Sequence, residues 1–288
     1  MRVMVVGAKG QLGQCLLPML ADYDVIPVSR AELDLSQTGS VAPFIQDQRP
    51  DYVINLSAYT AVDKAESEPE LAHLVNEHAV AEIAKACDVL GCPLIHVSTD
   101  FVFAGNHSSP YPVDAPCNPI GMYGQSKLAG EQAIAKYKPE GSIIVRTAWL
   151  YSDVCANFML SMIRLMNQRD SLGIVCDQVG TPTSAYSLAQ TIVGFLKHGG
   201  EGVYHWTDAG VASWYDFAVA IYEEGLIRNL VPKGVSVAPI FTAEYPTPAK
   251  RPSFSVLDKS KTYADIEAPK IHWREELRLV MDRLANQQ

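Results

Sequence analysis

Short apolar segments rich in β-branched residues alternate with longer amphipathic segments along the first half of the chain. The apolar segments predict strands at Val3 to Val6, Val25 to Val28, Tyr52 to Asn55, Leu94 to Ser98 and Ile143 to Arg146. The amphipathic segments predict helices at Gln11 to Leu20, Ser40 to Gln48, Leu71 to Leu90 and Tyr123 to Tyr137. Continuous apolar strands separated by helices are typical of a parallel sheet covered on both faces, so this half predicts an α/β fold with a doubly wound sheet.

Local signals predict where some of these helices begin and end. Ser67 with Glu70, and Thr60 with Asp63, have the spacing of capping boxes, in which a hydroxyl and an acidic side chain satisfy the first N–H groups of a helix. Gly91 follows the long helical segment directly and predicts its C-terminal end.

The pattern changes after Trp149. Helices are predicted at Asn157 to Asn167, Ala185 to His198, Ser213 to Glu224 and Trp273 to Ala285, separated by short strands and by loops rich in Gly and Pro. We interpret residues 1–150 as one domain and residues 151–288 mainly as a smaller C-terminal α/β cap that binds the substrate. Segments at about 170–205 are expected to return to the first domain, so the two are interleaved.

The composition is that of a globular protein and narrows the classes of partner. Of the 288 residues, 48% are hydrophobic and 19% are charged, which excludes a disordered chain. The chain has 23 Lys and Arg against 32 Asp and Glu, a formal net charge of −9, whereas nucleic-acid-binding proteins show a basic excess. We therefore expect no nucleic-acid partner, although a few well-placed cations could still bind a small anionic ligand.

Cysteine usage and hydropathy predict the compartment. The six cysteines, at positions 15, 87, 92, 117, 155 and 176, contain no CxxC pair and match no zinc spacing, so we expect reduced thiols. The chain begins directly on a predicted strand, and no apolar segment reaches the length of a membrane span. We expect no signal peptide, no membrane partner and a cytoplasmic location.

A glycine-rich turn follows the first strand directly. Gly7, Gly10 and Gly13 form a G-x-x-G-x-x-G pattern at the first strand-to-helix junction. Glycines let a backbone approach a pyrophosphate, and a helix N-terminus presents free N–H groups to it. A glycine trio could also be only a tight turn, but its position favours a Rossmann-type, dinucleotide-binding domain.

The end of the second predicted strand indicates which dinucleotide is preferred. An NAD site places an acidic residue there against the ribose 2′-hydroxyl, whereas this strand ends in Ser29 and Arg30. A guanidinium favours a 2′-phosphate. We expect Ser29 and Arg30 to contact the cofactor and NADPH to be preferred, with NADH possible; the alternative is that Arg30 is a solvated surface residue.

Candidate catalytic residues follow the fourth strand. Thr99 and Asp100 lie at its carboxyl end, where ligands bind in doubly wound sheets, and Tyr123 and Lys127 share one helix face at i, i+4 spacing. A phenol titrates near ~10, too high for proton transfer at neutral pH, and a neighbouring ammonium would favour the phenolate. We expect Lys127 to bring the pKa of Tyr123 towards the working range, and Thr99 to donate to the same substrate carbonyl.

Several motifs together resemble the dTDP-4-dehydrorhamnose reductase family, within the extended short-chain dehydrogenase/reductase superfamily. They span the whole chain in the family's order: the glycine turn to Gly13, Ala58 to Glu66, Ser98 to Phe103, Tyr123 to Glu131, Arg146 to Tyr151, Asp177 to Thr183 and Tyr245 to Pro252. The resemblance implies NAD(P)H-dependent reduction of the C4 ketone of dTDP-4-dehydro-β-L-rhamnose to dTDP-L-rhamnose. Tyr123 would protonate the alkoxide, Thr99 would polarise the carbonyl, and Lys127 would tune Tyr123 and bind the cofactor ribose.

The resemblance also implies binding roles for individual residues. Those expected to contact the cofactor, besides the glycines, are Gln11 and Leu12 at the pyrophosphate, Asp34 and Leu35 at the adenine, and Ala58, Tyr59 and Thr60 at the end of the third strand. Those expected to contact the sugar nucleotide are Val62, Thr99, Asp100, Tyr123 and Trp149. Trp149 could equally be a core residue, although a flat apolar face suits a sugar ring.

Two weaker signals have alternatives of similar weight. Asn76 lies inside a predicted helix, where Asn is unfavourable. In this superfamily a comparable Asn supports the active-site backbone, but a solvated Asn is nearly as plausible. Arg251 could reach the nucleotide diphosphate or could be an ordinary surface cation.

The chain departs from the family pattern at three positions. Phe101 stands where a Tyr is usual, so no phenol hydrogen bond is expected there. Cys15 and Tyr186 align with two glutamates that form a magnesium site at a dimer interface in some members. We therefore predict neither magnesium nor that dimer, and monomer and homodimer both remain open.

Two other functions stay open at this point. The first is a reductase that forms another dTDP-6-deoxysugar epimer, such as dTDP-6-deoxy-L-talose, by presenting the other face of the carbonyl. The second is a non-catalytic regulatory subunit, as in methionine adenosyltransferase, which keeps the fold and the nucleotide site. The complete set of Thr99, Tyr123 and Lys127 argues against the second.

Overall fold

A six-stranded parallel sheet forms the centre of the first half of the protein in the computed structural model, which describes residues 1–287. Its strands are β1 (Arg2–Val6), β2 (Asp24–Val28), β3 (Tyr52–Asn55), β4 (Leu94–Thr99), β5 (Ser142–Thr147) and β10 (Gly202–His205). Their spatial order is β2-β1-β3-β4-β5-β10, and every pair is parallel. The predicted doubly wound, Rossmann-type α/β fold is confirmed.

Helices cover both faces of this sheet and fill the second half. They are α1 (Gln11–Leu16), α2 (Thr38–Gln48), α3 (Val62–Ala65), α4 (Pro69–His73), α5 (Ala79–Leu90), α6 (Met122–Tyr137), α7 (Phe158–Met166), α8 (Ala185–His198), α9 (Trp214–Ile227), α10 (Ser260–Asp265) and α11 (Trp273–Ala285). Short 3₁₀ turns occur at Leu17–Leu20, Asp100–Val102 and Thr242–Glu244. Within residues 1–287, every helix is too short or too polar to cross a lipid bilayer.

Two apolar cores flank the sheet because its central strands, β1, β3, β4 and β5, are buried on both sides. On one face Val3, Val5 and Ile54 pack against α1 and α8, and on the other face Met4, Val6 and Val53 pack against α2 and α5. Alternating side chains of a strand point to opposite faces, so a strand buried on both faces is apolar throughout. This explains why the continuous apolar runs predicted these strands well.

The second half has an apolar core of its own, formed by α7, α9 and α11 around residues such as Met159, Phe217 and Leu277. The remaining strands form two-stranded pairs: β7 (Ser171–Val175) with β12 (Ser236–Ile240), β8 (Val179–Gly180) with β11 (Ala212–Ser213), and β6 (Leu150–Tyr151) with β9 (Thr183–Ser184). We propose two interleaved domains, a dinucleotide-binding domain and a cap. The chain returns to the dinucleotide-binding domain near α8, because α8 packs on the large sheet and β10 belongs to that sheet, whereas β7 pairs with β12 outside it.

The long helix predicted from Leu71 to Leu90 is interrupted. Residues Leu74–His78 form a π-helical segment between α4 and α5, and such segments are frequent at functional sites. Both predicted capping boxes are wrong: the residues preceding α3 and α4 are Ala61 and Glu68, and neither makes a side-chain capping bond. Gly91 ends α5 in the left-handed conformation, as predicted.

Candidate active site

The strand order reverses between β1 and β3, and this reversal creates a crevice at the carboxyl ends of the two strands. Gly7 lies there with φ +91°, and a Cβ on it would lie 2.8 Å from the Ser57 Oγ. A Cβ on Gly13 would lie 2.5 Å from the carbonyl oxygen of Gly7. The glycine turn and the loop after β3 are therefore in close contact, and neither Gly7 nor Gly13 has room for a side chain.

The glycine turn is also fixed by the second half of the chain. The amide of Asn157 donates to Oε1 of Gln11 at 2.9 Å, and its own Oδ1 accepts from the N–H of Leu160 at the start of α7. Gly10, the residue before α1, has no side chain that could cap the helix. The first N–H groups of α1 therefore receive no capping hydrogen bond from it. Asn157 is a site residue that sequence reasoning missed, since its only signal was that it begins a predicted helix.

The end of β2 presents a cation and a carboxylate side by side. The side chain of Arg30 is 81% exposed and lies 3.4 Å from Asp34, which also accepts from Ser36. Oε2 of Glu32 accepts from the hydroxyl of Ser29 and from its N–H, the latter at 2.8 Å, and these two bonds, the hydroxyl bond first, lower the pKa of Glu32. Arg30 is thus exposed but paired with Asp34, so it would meet a 2′-phosphate only in competition with that carboxylate, and Glu32 is a second residue at this strand end that sequence reasoning missed.

Asn76 supports the loop that follows β3 and does not face solvent. Its Oδ1 accepts the N–H of Tyr59 at 2.8 Å, and its Nδ2 donates to the carbonyl of Tyr59 at 3.1 Å and to Ser126 Oγ at 3.0 Å. Ser126 in turn donates to the carbonyl of Tyr123 at 2.9 Å. The supporting role that the resemblance suggested is therefore present, and it joins the loop containing Ala58, Tyr59 and Thr60 to the helix that carries Tyr123.

Asn76→Ala should lower the free energy of unfolding by about 1–3 kcal/mol, because it leaves the buried peptide groups of Tyr59 without partners. It should also weaken NADPH binding, since the loop after β3 would lose its fixed position. Urea denaturation and a fluorescence titration with NADPH measure the two effects. Asn286→Ala, at the exposed end of α11, is the control; equal effects of the two substitutions would contradict the supporting role.

The candidate acid, Tyr123, lies in the first turn of α6 beside Thr99 at the end of β4. Burial raises the pKa of the Tyr123 phenol to about 12; a hydrogen bond with Thr99 lowers it and the charge of Asp100 raises it. The ring of Phe101 packs edge-on against Tyr123, with centroids 5.6 Å apart, where the family pattern has a second phenol. Tyr123 is therefore fully protonated at neutral pH, the form that a proton donor needs.

The structure places Lys127 differently from the expectation. Its Nζ donates to the carbonyl of Val97 at 2.7 Å and lies 3.1 Å from Nε2 of His96. Burial lowers the pKa of Lys127 to about 8, and the pKa of Tyr123 is raised with no contribution from Lys127. The expectation that Lys127 brings the pKa of Tyr123 towards neutrality is wrong in this arrangement, because i, i+4 spacing fixes the helix face but not the end of a long side chain.

Asp100 is buried next to the candidate pair, Thr99 and Tyr123. Thr99 donates to its Oδ1 at 3.1 Å, while Oδ2 has no hydrogen-bond partner among residues 1–287. Burial raises the pKa of Asp100 to about 6, although the hydrogen bond from Thr99 opposes this rise. An unpartnered buried oxygen is costly in a folded protein, so Oδ2 is available to a polar group of a ligand.

Trp149 is half-buried and packs against a second tryptophan. It adopts a left-handed backbone conformation (φ +46°), and its ring stacks on Trp214 at a centroid distance of 3.5 Å. One face is therefore covered by protein, and Trp214 is a third residue that sequence reasoning missed. Val62, expected on the other side of the sugar, begins the short helix α3.

Arg251 is held by an acidic side chain of the first half. Its Nη2 donates to Oδ2 of Asp63 at 2.9 Å, and its Nη1 donates to Thr247 Oγ1 at 2.5 Å. Ala249 also donates its N–H to Asp63 at 3.2 Å. Arg251 is thus partly buried and paired, and any contact with a nucleotide diphosphate would compete with Asp63.

The residues aligned with the family's magnesium ligands do not suit that ion. Cys15 is a buried thiol whose pKa burial raises to about 11, and Tyr186 donates its hydroxyl to Asp153 at 2.9 Å. Mg²⁺ is bound by carboxylates and waters, not by a protonated thiol. Throughout residues 1–287, no group of three or more His, Cys, Asp or Glu side chains is arranged to hold a metal ion.

Comparison with known proteins agrees with this geometry. The family model of the RmlD substrate binding domain matches residues 1–286. A dTDP-4-dehydrorhamnose reductase of Burkholderia thailandensis is 40% identical over 100% of both chains, and a dTDP-4-keto-6-deoxy-D-glucose reductase of Streptomyces niveus is 41% identical over 75% of this chain and 76% of its own. The crystal structure of dTDP-4-dehydrorhamnose reductase from Bacillus anthracis in complex with NADP has a TM-score of 0.92 and 34% identity, covering 98% of this chain and 99% of the other. The resemblance inferred from the motifs is confirmed, and the chain belongs to the family of the RmlD substrate binding domain.

Proposed function

We propose that this protein reduces the C4 ketone of dTDP-4-dehydro-β-L-rhamnose to dTDP-L-rhamnose with NADPH. The observation that carries the proposal is the pairing of protonated Tyr123 with Thr99 at the carboxyl end of β4, beside the crevice of the sheet. The family membership supports the same activity, since relatives that match this chain throughout are dTDP-4-dehydrorhamnose reductases.

In this mechanism the bound NADPH supplies the hydride that reduces the ketone. The hydroxyl of Thr99 donates a hydrogen bond to the carbonyl oxygen, which stabilises the negative charge that develops on it. Tyr123 then transfers its proton to the same oxygen and completes the alcohol. The raised pKa of Tyr123 favours this direction, because the phenol holds its proton until an alkoxide, a much stronger base, forms beside it.

We assign the remaining site residues to two groups. Those proposed to hold the cofactor are Gly7, Gly10, Gln11, Leu12, Gly13, Ser29, Arg30, Asp34, Leu35, Ala58, Tyr59, Thr60, Tyr123 and Lys127. Those proposed to hold the sugar nucleotide are Val62, Thr99, Asp100, Tyr123, Trp149 and Arg251. The crevice between β1 and β3 supports the first group, and the unpartnered oxygen of Asp100 supports the second.

Arg30→Ala should lower the ratio of kcat/KM for NADPH to kcat/KM for NADH by about 10–100-fold. A charge-assisted hydrogen bond from an exposed guanidinium to a 2′-phosphate contributes about 1.5–3 kcal/mol, and NADH lacks that phosphate. Steady-state kinetics with both cofactors measure the ratio. Arg49→Ala, on the surface at the end of α2, is the matched control, and an unchanged ratio in Arg30→Ala would assign the 2′-phosphate to another residue.

A second candidate is reduction of dTDP-4-keto-6-deoxy-D-glucose itself, which the similarity to the Streptomyces niveus reductase favours. Purified protein should be mixed with NADPH and each of the two 4-keto sugars, and the products identified by NMR. We expect dTDP-L-rhamnose from the first sugar and little turnover of the second. Formation of the talose epimer would mean that the hydride reaches the opposite face of the C4 carbonyl. NADPH binding without any turnover would indicate a regulatory subunit.

The state of the cysteines supports a cellular location. All six cysteines are free thiols, and reduced thiols are typical of the cytoplasm. We propose that the protein acts there on its dTDP-sugar substrate.

A further inference from the structure

His96 lies fully buried in β4 and connects Lys127 to the end of β3. Its Nε2 is 3.1 Å from Nζ of Lys127, and its Nδ1 is 3.0 Å from Nδ2 of Asn55. All three side chains are shielded from solvent, with exposed fractions of 0–1%. The mechanism above uses neither His96 nor Asn55, so their position next to a proposed cofactor residue requires its own explanation.

The donors and acceptors around His96 determine where its proton lies. The N–H of Ser57 can only donate, and it donates to Oδ1 of Asn55 at 3.1 Å, which turns Nδ2 of Asn55 towards the imidazole. Nδ1 of His96 must then accept a hydrogen bond. A neutral imidazole carries one proton, so that proton is on Nε2 and points at Lys127.

The Nε2 proton determines in turn which form of Lys127 fits. An ammonium can only donate hydrogen bonds. It would place an N–H donor of Lys127 against the Nε2–H donor of His96, with the two nitrogens 3.1 Å apart. An uncharged amine has a lone pair that accepts from Nε2–H, and it can still donate to the carbonyl of Val97 at 2.7 Å. The buried arrangement therefore fits an amine and not an ammonium.

We propose that His96, held as its Nε2–H tautomer by Asn55, favours the uncharged amine of Lys127 over its ammonium until Lys127 leaves the imidazole to bind the cofactor. On leaving, Nζ bonds one proton from the solvent and becomes an ammonium, while the Nε2 proton stays on His96. The proposal rests on the proposed function only for the cofactor contact of Lys127. It makes His96 and Asn55 positioning residues that couple NADPH binding to proton uptake.

The charged groups around Asn55, His96 and Lys127 are consistent with an uncharged Lys127. The nearest carboxylate to Lys127 is Glu131, one turn further along α6, and it is already paired with Arg146 of β5. From β4 the carbonyl of Val97 and the neutral ring of His96 face Nζ, and on α6 the phenol of Tyr123 is protonated. Burial lowers the pKa of His96 well below its ordinary value, so the ring does not take a second proton at neutral pH.

NMR of the protein without cofactor tests the tautomer directly. With ¹⁵N-labelled histidine, His96 should show the Nε2–H tautomer, and His205 should show the opposite one, because its Nδ1 faces the carbonyl of Tyr111 at 3.1 Å. Asn55→Asp should convert His96 to the Nδ1–H form, since a carboxylate can only accept. An Nδ1–H tautomer of His96 in the wild type would overturn the proposal whether or not any variant folds.

The protonation of Lys127 is tested by ¹³C NMR of the lysine Cε and by calorimetry. In His96→Gln the amide oxygen can accept from an ammonium, so the titration midpoint of Lys127 should rise by at least about one pH unit, a tenfold change. In wild type at pH 8.5, NADPH binding should take up roughly 0.5–1 proton, measured in buffers of different ionisation enthalpy. His96→Gln should abolish that uptake and His205→Gln should leave it unchanged.

The outcomes separate this proposal from the proposed function. An unchanged midpoint of Lys127 in His96→Gln, or equal proton uptake by wild type and His96→Gln, would refute the role of His96. If NADPH does not bind at all, the proposed function fails, while the tautomer and the lysine midpoint still decide whether His96 favours the uncharged amine of Lys127.

Discussion

Tyr123→Phe should lower kcat by about 10²–10⁴-fold while leaving the Kd for NADPH within a factor of about two. General acid catalysis by a positioned side chain contributes a rate factor of this size, and the substitution removes only the hydroxyl that carries the proton. The Phe ring still fits, because Tyr123 already packs edge-on against Phe101. Since the pKa of Tyr123 is raised to about 12, the loss should persist across neutral pH.

Tyr137→Phe is the matched control, since Tyr137 lies at the last turn of the same helix and faces Lys85 and Lys136. It should leave kcat unchanged. Single-turnover kinetics with the keto sugar separate the chemical step from product release. If Tyr123→Phe retained kcat within about tenfold, the proton would come from another group, and the buried carboxyl of Asp100 would be the first to examine.

The sequence predicted the sheet well because its strands are apolar on both faces. The predicted bounds match the observed ones for Tyr52 to Asn55, Ala185 to His198 and Trp273 to Ala285, and the ends of other elements differ by a few residues. The interruption of the helix from Leu71 to Leu90 was not predictable from periodicity, because a π segment inserts an extra residue without changing its apolar character. The one local signal was Asn76, a poor helix former that lies inside the π segment.

Helix starts were predicted less well, because a hydroxyl has several possible partners. Ser67 has the spacing of a capping residue, yet its hydroxyl donates to the carbonyl of Lys64 at 3.1 Å. The choice between capping the next helix and closing the preceding one depends on backbone direction, which a pattern of four residues does not contain.

The candidate site could be located from the sequence, but its charge state could not. The glycine turn follows β1, and Thr99 ends β4, which is separated from β1 by β3 alone in the same parallel sheet; Tyr123 lies beside Thr99. What the spacing could not show is that Lys127 ends on His96, a contact between residues 31 positions apart. A histidine inside an otherwise apolar strand was the available signal, since a buried imidazole requires a partner.

Arg146→Met should lower the free energy of unfolding by about 3–5 kcal/mol, the largest loss of stability that we expect from one substitution. Arg146 and Glu131 form a buried pair, each side chain 5% exposed, with Nη2 to Oε2 at 2.6 Å and Nε to Oε1 at 3.0 Å. Ser98 also donates to Glu131 at 2.5 Å. Removal of the guanidinium leaves a buried carboxylate without its counter-charge, which costs more than the pair contributed.

Two variants distinguish this cause from a simple loss of packing. Arg274→Met breaks the exposed pair with Glu223 and should change stability by at most about 1 kcal/mol, because water screens that pair. Glu131→Gln added to Arg146→Met removes the uncompensated charge and should restore part of the loss, as measured by the midpoint of urea denaturation at constant m-value. If the double variant were as unstable as the sum of both single variants, the cost would lie in packing around β5, and the buried pair would not be what fixes α6, with its Tyr123 and Lys127, against the sheet.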